Sequence, residues 1–166
     1  MRAHCVHYGS HLECLADATL AISVGAGFKY MNDAQDPNKV LGKVVRINPD
    51  GSIPADNPYA NGEDGDPAVW SYGHRNIQGL YYDANTDTLY ATEHGPKGGD
   101  ELNIIKKNTN YGWPAITYGV NYDGTIITTE SEAEGMAQPE TYWVPSIAPS
   151  GLTMLNSDVY PGWKGD

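Results

Sequence analysis

The chain has 166 residues, the length of one ordinary domain, and carries 10 Lys and Arg against 21 Asp and Glu, a formal net charge of −11. That acidity argues against nucleic acid or an anionic membrane surface as a partner, and no apolar run approaches the roughly 18 residues that cross a bilayer. With 19 Gly, 11 Pro, 12 Tyr, 4 Trp and a single Phe, the composition is turn-rich and aromatic, which disfavours a helical bundle.

The first residues hold no apolar stretch of the secretory-leader type. Cys5 and Cys14 lack the C-x-x-C spacing of a zinc or redox site; two free, packed thiols are the simpler reading and a local disulfide the alternative. His7-Tyr8-Gly9-Ser10-His11 sets a histidine before a small-residue turn, and imidazole, titrating near neutrality, suits a general base. A zinc site from His4, His7 and His11 would need a helix, and this segment does not read as one.

Residues 20–24 form a β-type run that ends in Gly25-Ala26-Gly27. Residues 41–47 alternate imperfectly and stop at Asn48-Pro49-Asp50-Gly51, a turn in which Pro presets φ and Gly accepts a positive one. Residues 52–67 are acidic and too rich in Pro and Gly for regular structure. Strands resume at 68–72, 79–82 and 88–92, the last two joined by a hairpin loop over 83–87, and continue at 101–105, 141–143 and 151–155. The one helix candidate spans residues 130–136. Residues 12–23 and 80–92 share a plan, an apolar pair, an Asp-bearing turn and a strand, with a third Gly-Leu strand start at 151. Hairpins recurring on one plan suggest blades of a β-propeller, with a sandwich as the alternative.

Three clusters could carry chemistry. Tyr72-Gly73-His74-Arg75-Asn76-Ile77-Gln78-Gly79 joins two strands, and its forked arginine suits carboxylates on a planar ligand, although a solvated loop would read the same. Glu93-His94-Gly95-Pro96-Lys97-Gly98-Gly99-Asp100-Glu101 lacks the order of a P-loop. It combines turned-out carbonyls with carboxylates, the ligands Ca²⁺ prefers, but is equally an acidic hairpin turn. The segment around His7 is the third. Trp113 and Trp143 suit a core, a rim plug or a stacking platform. No G-x-S-x-G elbow and no complete G-x-G-x-x-G fingerprint is present.

Residues 41–58 (LGKVVRINPDGSIPADNP), 71–80 (SYGHRNIQGL), 93–103 (EHGPKGGDELN), 110–114 (NYGWP) and 143–151 (WVPSIAPSG) together resemble the soluble quinoprotein glucose/sorbosone dehydrogenases, in the branch of the aldose sugar dehydrogenases. The resemblance runs in order from about His7 to the last residue. It implies an all-β fold, a partial six-bladed β-propeller with about half of the blades. On this reading, residues 1–166 are a middle piece of one propeller domain.

The resemblance also implies pyrroloquinoline quinone (PQQ) and Ca²⁺ as cofactors, an aldose as substrate and a quinone or dye as electron acceptor. It places the full-length form in the periplasm or outside the cell. His7 corresponds to the catalytic base, and Arg75, Asn76, Tyr122 and Trp143 to PQQ contacts. The carbonyls of Gly95 and Pro96 correspond to ligands of the Ca²⁺ that bridges protein and PQQ; Glu101 and the Tyr111 carbonyl correspond to a second, structural Ca²⁺ site. The chain departs from the family pattern at His11 (Arg), Ile77 (Pro) and Ala26 (often Asp). The competing readings are a non-catalytic propeller that binds a protein or glycan, and an inactive truncated product.

Overall fold

The computed structural model describes residues 6–165. His4 and Cys5, and with them the zinc and disulfide readings, lie outside the described residues.

The chain forms two four-stranded antiparallel sheets, each a simple meander. The first runs β1 (Leu12–Cys14), β2 (Leu20–Val24), β3 (Lys43–Ile47) and β4 (Val69–Tyr72); the second runs β5 (Ile77–Asp83), β6 (Thr88–Glu93), β7 (Asp100–Ile105) and β8 (Thr141–Trp143). Sequential meanders laid face to face are successive blades of a β-propeller. The two hairpins legible as an internal repeat are β1–β2 and β5–β6, the opening pair of each blade. One core joins the blades: Ala21 and Val44 from the first meet Ile77, Leu80, Leu89, Ala91 and Ile105 from the second, with Tyr111 closing the cluster. Alternation within the strands sends these residues to one face, where each buried Leu or Ile contributes about 1.5–3 kcal/mol.

Two buried cations order segments whose composition alone suggests irregular coil. Arg46 donates to Thr19 Oγ1 (2.9 Å), Asp56 Oδ1 (2.8 Å), Asn57 Oδ1 (3.1 Å) and the carboxylate of Asp17, and lies 4.8 Å over the Trp70 ring. It thereby ties the β1–β2 turn and the acidic stretch 52–67 to the outer strands. Lys43 is completely buried, and its ammonium donates to the carbonyls of Asp33 (2.9 Å), Ala34 (3.0 Å) and Leu41 (2.7 Å). Burial lowers its pKa to about 8. These bonds hold a 3-10 turn, Met31–Gln35, against the blade.

That turn is the helical element found; residues 130–136 are turns and an isolated bridge at Met136 instead. β1, the apolar pair that opens the first repeat, is three residues long with Leu12 exposed. Cys14, in the same strand, faces solvent rather than packing. Residues 151–155 are not a strand. Their segment lies beside β5 without ladder pairing: Ser150 O accepts from Thr92 Oγ1 (2.7 Å), and Asn156 Nδ2 donates to Tyr81 Oη (2.8 Å).

Candidate active site

The segments that precede β1 and β5 and those that follow β2 and β6 emerge at one end of the two blades. With the β7–β8 connection they enclose a cavity of about 260 Å³ lined by His7, Phe28, Lys29, Met31, Asn32, Arg75, Pro96, Trp113, Asn121 and Tyr122. A second hollow, of about 500 Å³, adjoins it through the shared Pro96 and Tyr122 and runs under Gly95, Gly98 and Val144.

His7 is buried and adopts φ 63°, a left-handed conformation unusual for a residue with a Cβ. The strain is borne by its neighbours: Gly27 N–H donates to the His7 carbonyl (3.1 Å), and a Cβ on Gly25 would lie 2.0 Å from that oxygen. The ring meets Phe28 edge-on at 5.0 Å, and its Nδ1 is buried without a hydrogen-bond partner among the described residues. Burial first, then the charges of Arg75 and His94, lower its pKa to about 4. Above that pH the ring is neutral and can accept a proton.

Arg75 is buried in the loop between the blades. Its Nη1 donates to the His94 carbonyl (2.9 Å) and its Nη2 makes a long contact to Tyr122 Oη (3.4 Å). The guanidinium lies 5.2 Å from the Trp113 ring centre and 5.9 Å from that of Tyr122, and its Nε is unpartnered among the described residues. Trp113 Nε1 is likewise buried and unpartnered. A cationic fork between aromatic walls, three orphaned ring or guanidinium nitrogens, and Lys29 nearby suit a flat, polyanionic ligand. PQQ, a planar tricarboxylate, fits this set.

Gly95 and Pro96 begin a loop closed tightly on itself: a Cβ on Gly95 would lie 2.2 Å from the Gly99 carbonyl oxygen. Among the described residues no hydrogen bond reaches the carbonyl of Gly95 or Pro96, so both remain available to a cation. Asp100 anchors the loop. Completely buried, it accepts from Gly95 N–H (2.9 Å), Ser146 Oγ (2.6 Å), Ile147 N–H (2.8 Å) and Ala148 N–H (2.7 Å). Burial pushes its pKa up, and these bonds outweigh it, leaving a net lowering. Asp100→Ala leaves three amides and a hydroxyl without their acceptor. An expected loss of about 3 kcal/mol or more in denaturant unfolding follows from bonds worth about 1.5–3 kcal/mol each; a loss below about 1 kcal/mol would show that the anchor is dispensable.

Glu101 and Tyr111 share a void of about 10 Å³, the size of one water or ion, with Glu93 on its wall. Burial and then the Glu93 charge push the Glu101 pKa up to about 8. Two carboxylates against one small void form an arrangement that a cation would relieve. The described residues hold no cluster of three or more His, Cys, Asp or Glu side chains suited to a metal, so backbone carbonyls are needed to complete either site.

The fold thus brings His7, Arg75, Pro96 and Tyr122 to one cavity and sets Gly95 beside it. Asn76 lies beneath: its Oδ1 accepts from Gly9 N–H (2.9 Å), tying the His7 segment to the inter-blade loop. Trp143 lines neither hollow; its carbonyl accepts from Gly99 N–H (2.8 Å), and Trp113 supplies the aromatic wall. His94 borders both the void and the larger hollow, its Nε2 donating to the Pro149 carbonyl (2.6 Å). Phe28, Lys29, Asn32 and Asn121 carried no motif and are assembled only by the fold.

The likeness to known proteins is extensive. The chain is 42% identical over 161 residues to aldose sugar dehydrogenase YliI of Escherichia coli, covering 95% of this chain and 43% of that protein. The crystal structure of the soluble aldose sugar dehydrogenase from Escherichia coli, in its apo form, superposes with a TM-score of 0.89 at 40% identity, over 95% of this chain and 46% of the other. The PQQ-bound aldose sugar dehydrogenase of Streptomyces coelicolor superposes with a TM-score of 0.70 at 33% identity, over 88% of this chain and 39% of the other. The chain spans less than half the length of each of these relatives. The glucose/sorbosone dehydrogenase family model matches residues 2–166, and with two propeller blades carrying the family's motifs in order, the chain belongs to that family.

Proposed function

We propose that the chain carries the catalytic base and part of the cofactor site of a PQQ- and Ca²⁺-dependent aldose dehydrogenase, a glucose-like sugar being the substrate. The observation that supports this most is the meeting of His7 and Arg75, from different blades, across one aromatic-walled cavity. When bound, PQQ supplies the two-electron acceptor for oxidation at the anomeric carbon.

The protein's own residues bind, orient and move a proton. Arg75, backed by the His94 carbonyl, offers its fork to carboxylate or carbonyl oxygens and stabilises negative charge there. Trp113 and Tyr122 flank the guanidinium and offer ring surface to a flat ligand. His7, neutral at working pH, receives the proton of the anomeric hydroxyl. The carbonyls of Gly95 and Pro96 would hold Ca²⁺ next to the cavity, and Glu101 with the Tyr111 carbonyl would hold another. A quinone or dye is the electron acceptor this reading calls for, and export to the periplasm or beyond fits the branch resembled. Among the described residues no helix is long and apolar enough to cross a membrane.

An absorbance titration of the protein with PQQ, with and without Ca²⁺, tests this reading. Saturable, Ca²⁺-dependent binding followed by reduction of the quinone on adding glucose is the expected result. A folded, whole protein that fails to bind PQQ at saturating Ca²⁺ would overturn it, and a non-catalytic propeller would take its place.

A further inference from the structure

Glu93 ends β6 with its side chain buried, and both carboxylate oxygens are committed. Oε2 accepts from His74 Nδ1 (3.0 Å); Oε1 accepts the backbone N–H of Arg75 and, at 3.3 Å, that of Asn76. His74 is completely buried, stacks on Tyr111 at 4.6 Å, and faces Ser71 Oγ with Nε2 (2.9 Å). Because a carboxylate can only accept, His74 carries its proton on Nδ1, and Nε2 accepts from the Ser71 hydroxyl.

Ser71, His74 and Glu93 stand in the order of a hydrolytic triad, but Ser71 has 0% exposure and no substrate can reach it. The relay instead points at the inter-blade loop. From there the connection continues: Asn76 Oδ1 holds Gly9 N–H, the Arg75 carbonyl accepts from Ala26 N–H (2.8 Å), and Gly27 N–H holds the His7 carbonyl. The segment bearing His7 is therefore laid directly on the two residues whose amides Glu93 grips.

We propose that Glu93, buttressed by His74 and Ser71, is a positioning residue that sets the Arg75 guanidinium and the His7 imidazole relative to each other through the Arg75 and Asn76 amides. It does not line the cavity that His7 and Arg75 face. The inference rests on the dehydrogenase reading above, and it deepens that reading by naming what holds the site's two key side chains in register across two blades.

The test compares Glu93→Ala, Glu93→Asp and Glu93→Gln with wild type in the whole protein by three readouts: PQQ affinity of the apoprotein, the NMR resonances of the His7 ring, and kcat with glucose. Glu93→Ala removes the acceptor from both amides. It is expected to shift the His7 resonances, weaken PQQ binding at least ~10-fold and lower kcat by ~10²-fold, the scale of a misplacement of about 1 Å. Glu93→Asp, one methylene short, keeps the buried charge and should move all three readouts in the same direction. Glu93→Gln keeps an acceptor for both amides and, with His74 in its other tautomer, a donor to Nδ1, so it should restore each readout to within ~10-fold of wild type.

A folded Glu93→Ala or Glu93→Asp protein with wild-type His7 resonances and PQQ affinity would overturn the proposal, whatever its melting temperature. If Glu93→Ala does not fold, Glu93→Asp decides. Should wild type itself bind no PQQ, the dehydrogenase reading fails, and the His7 resonances still report whether Glu93 positions that residue.

Discussion

His7→Ala is expected to lower kcat for aldose oxidation by 10²–10⁴-fold while the protein still binds PQQ, the range usual for losing a positioned general base. The ring is buried, its Nδ1 lacks a partner, and its pKa sits near 4 because burial, Arg75 and His94 all disfavour the cation. The acid limb of activity should therefore lie well below the 6.5 of a free histidine. A polyanion on Arg75 cancels part of the opposing field, so loading the cofactor should raise the His7 midpoint from about 4, strengthening the base where it is needed. His7 also predicts how stability depends on pH. Its folded pKa lies below its unfolded one, so the unfolded chain holds the extra proton between pH 4 and 6.5, and stability rises with pH across that window by about 3 kcal/mol. A His7→Ala protein with unchanged kcat would remove the residue from the mechanism, and an acid limb near 6.5 would show that burial and the neighbouring charges together do not hold the imidazole low in the loaded enzyme.

Arg75→Ala should be nearly as damaging, and in a different way. It removes the cation that Trp113 and Tyr122 flank and that the His94 carbonyl orients. Loss of charged hydrogen bonds worth about 1.5–3 kcal/mol each should weaken PQQ affinity by roughly 10- to 150-fold. Loss of charge stabilisation should cost a further ~10²–10³-fold in kcat at saturating cofactor. Arg75→Lys should recover little, since a point charge cannot reproduce the fork that spans His94 O and the ligand. Unchanged PQQ affinity in a folded Arg75→Ala protein would show that the cofactor does not lie against this guanidinium.

The strands were legible because their signal is local. The runs at 20–24, 88–92 and 141–143 alternate or cluster β-branched and aromatic residues between strong turn formers, and they form β2, most of β6 and β8. The five ordered motifs were legible for a related reason. Gly42, Gly73 and Gly95, one in each of the first three motifs, stand where backbone approaches backbone so closely that a Cβ would collide, so the local sequence there is tied to glycine.

What the sequence could not show is set by contacts between residues far apart in the chain. Residues 151–155 have strand composition but no ladder partner among the described residues, and the 3-10 turn at Met31–Gln35 depends on the ammonium of Lys43, which no helical periodicity announces. Asn76 read as a ligand contact, and the fold also commits its Oδ1 to the N–H of Gly9, 67 residues away. Glu93 read as one acidic residue of a turn and is the acceptor on which the inter-blade loop hangs. By itself, then, the sequence determined the β class, the blade repeat and the family, because strand periodicity, turn chemistry and motif order are properties of neighbours along the chain. Which polar residues face the cavity and which are consumed in holding it was decided only by the tertiary structure. A buried donor or acceptor must find a partner wherever the fold supplies one, and those partners lie on other strands and in the other blade.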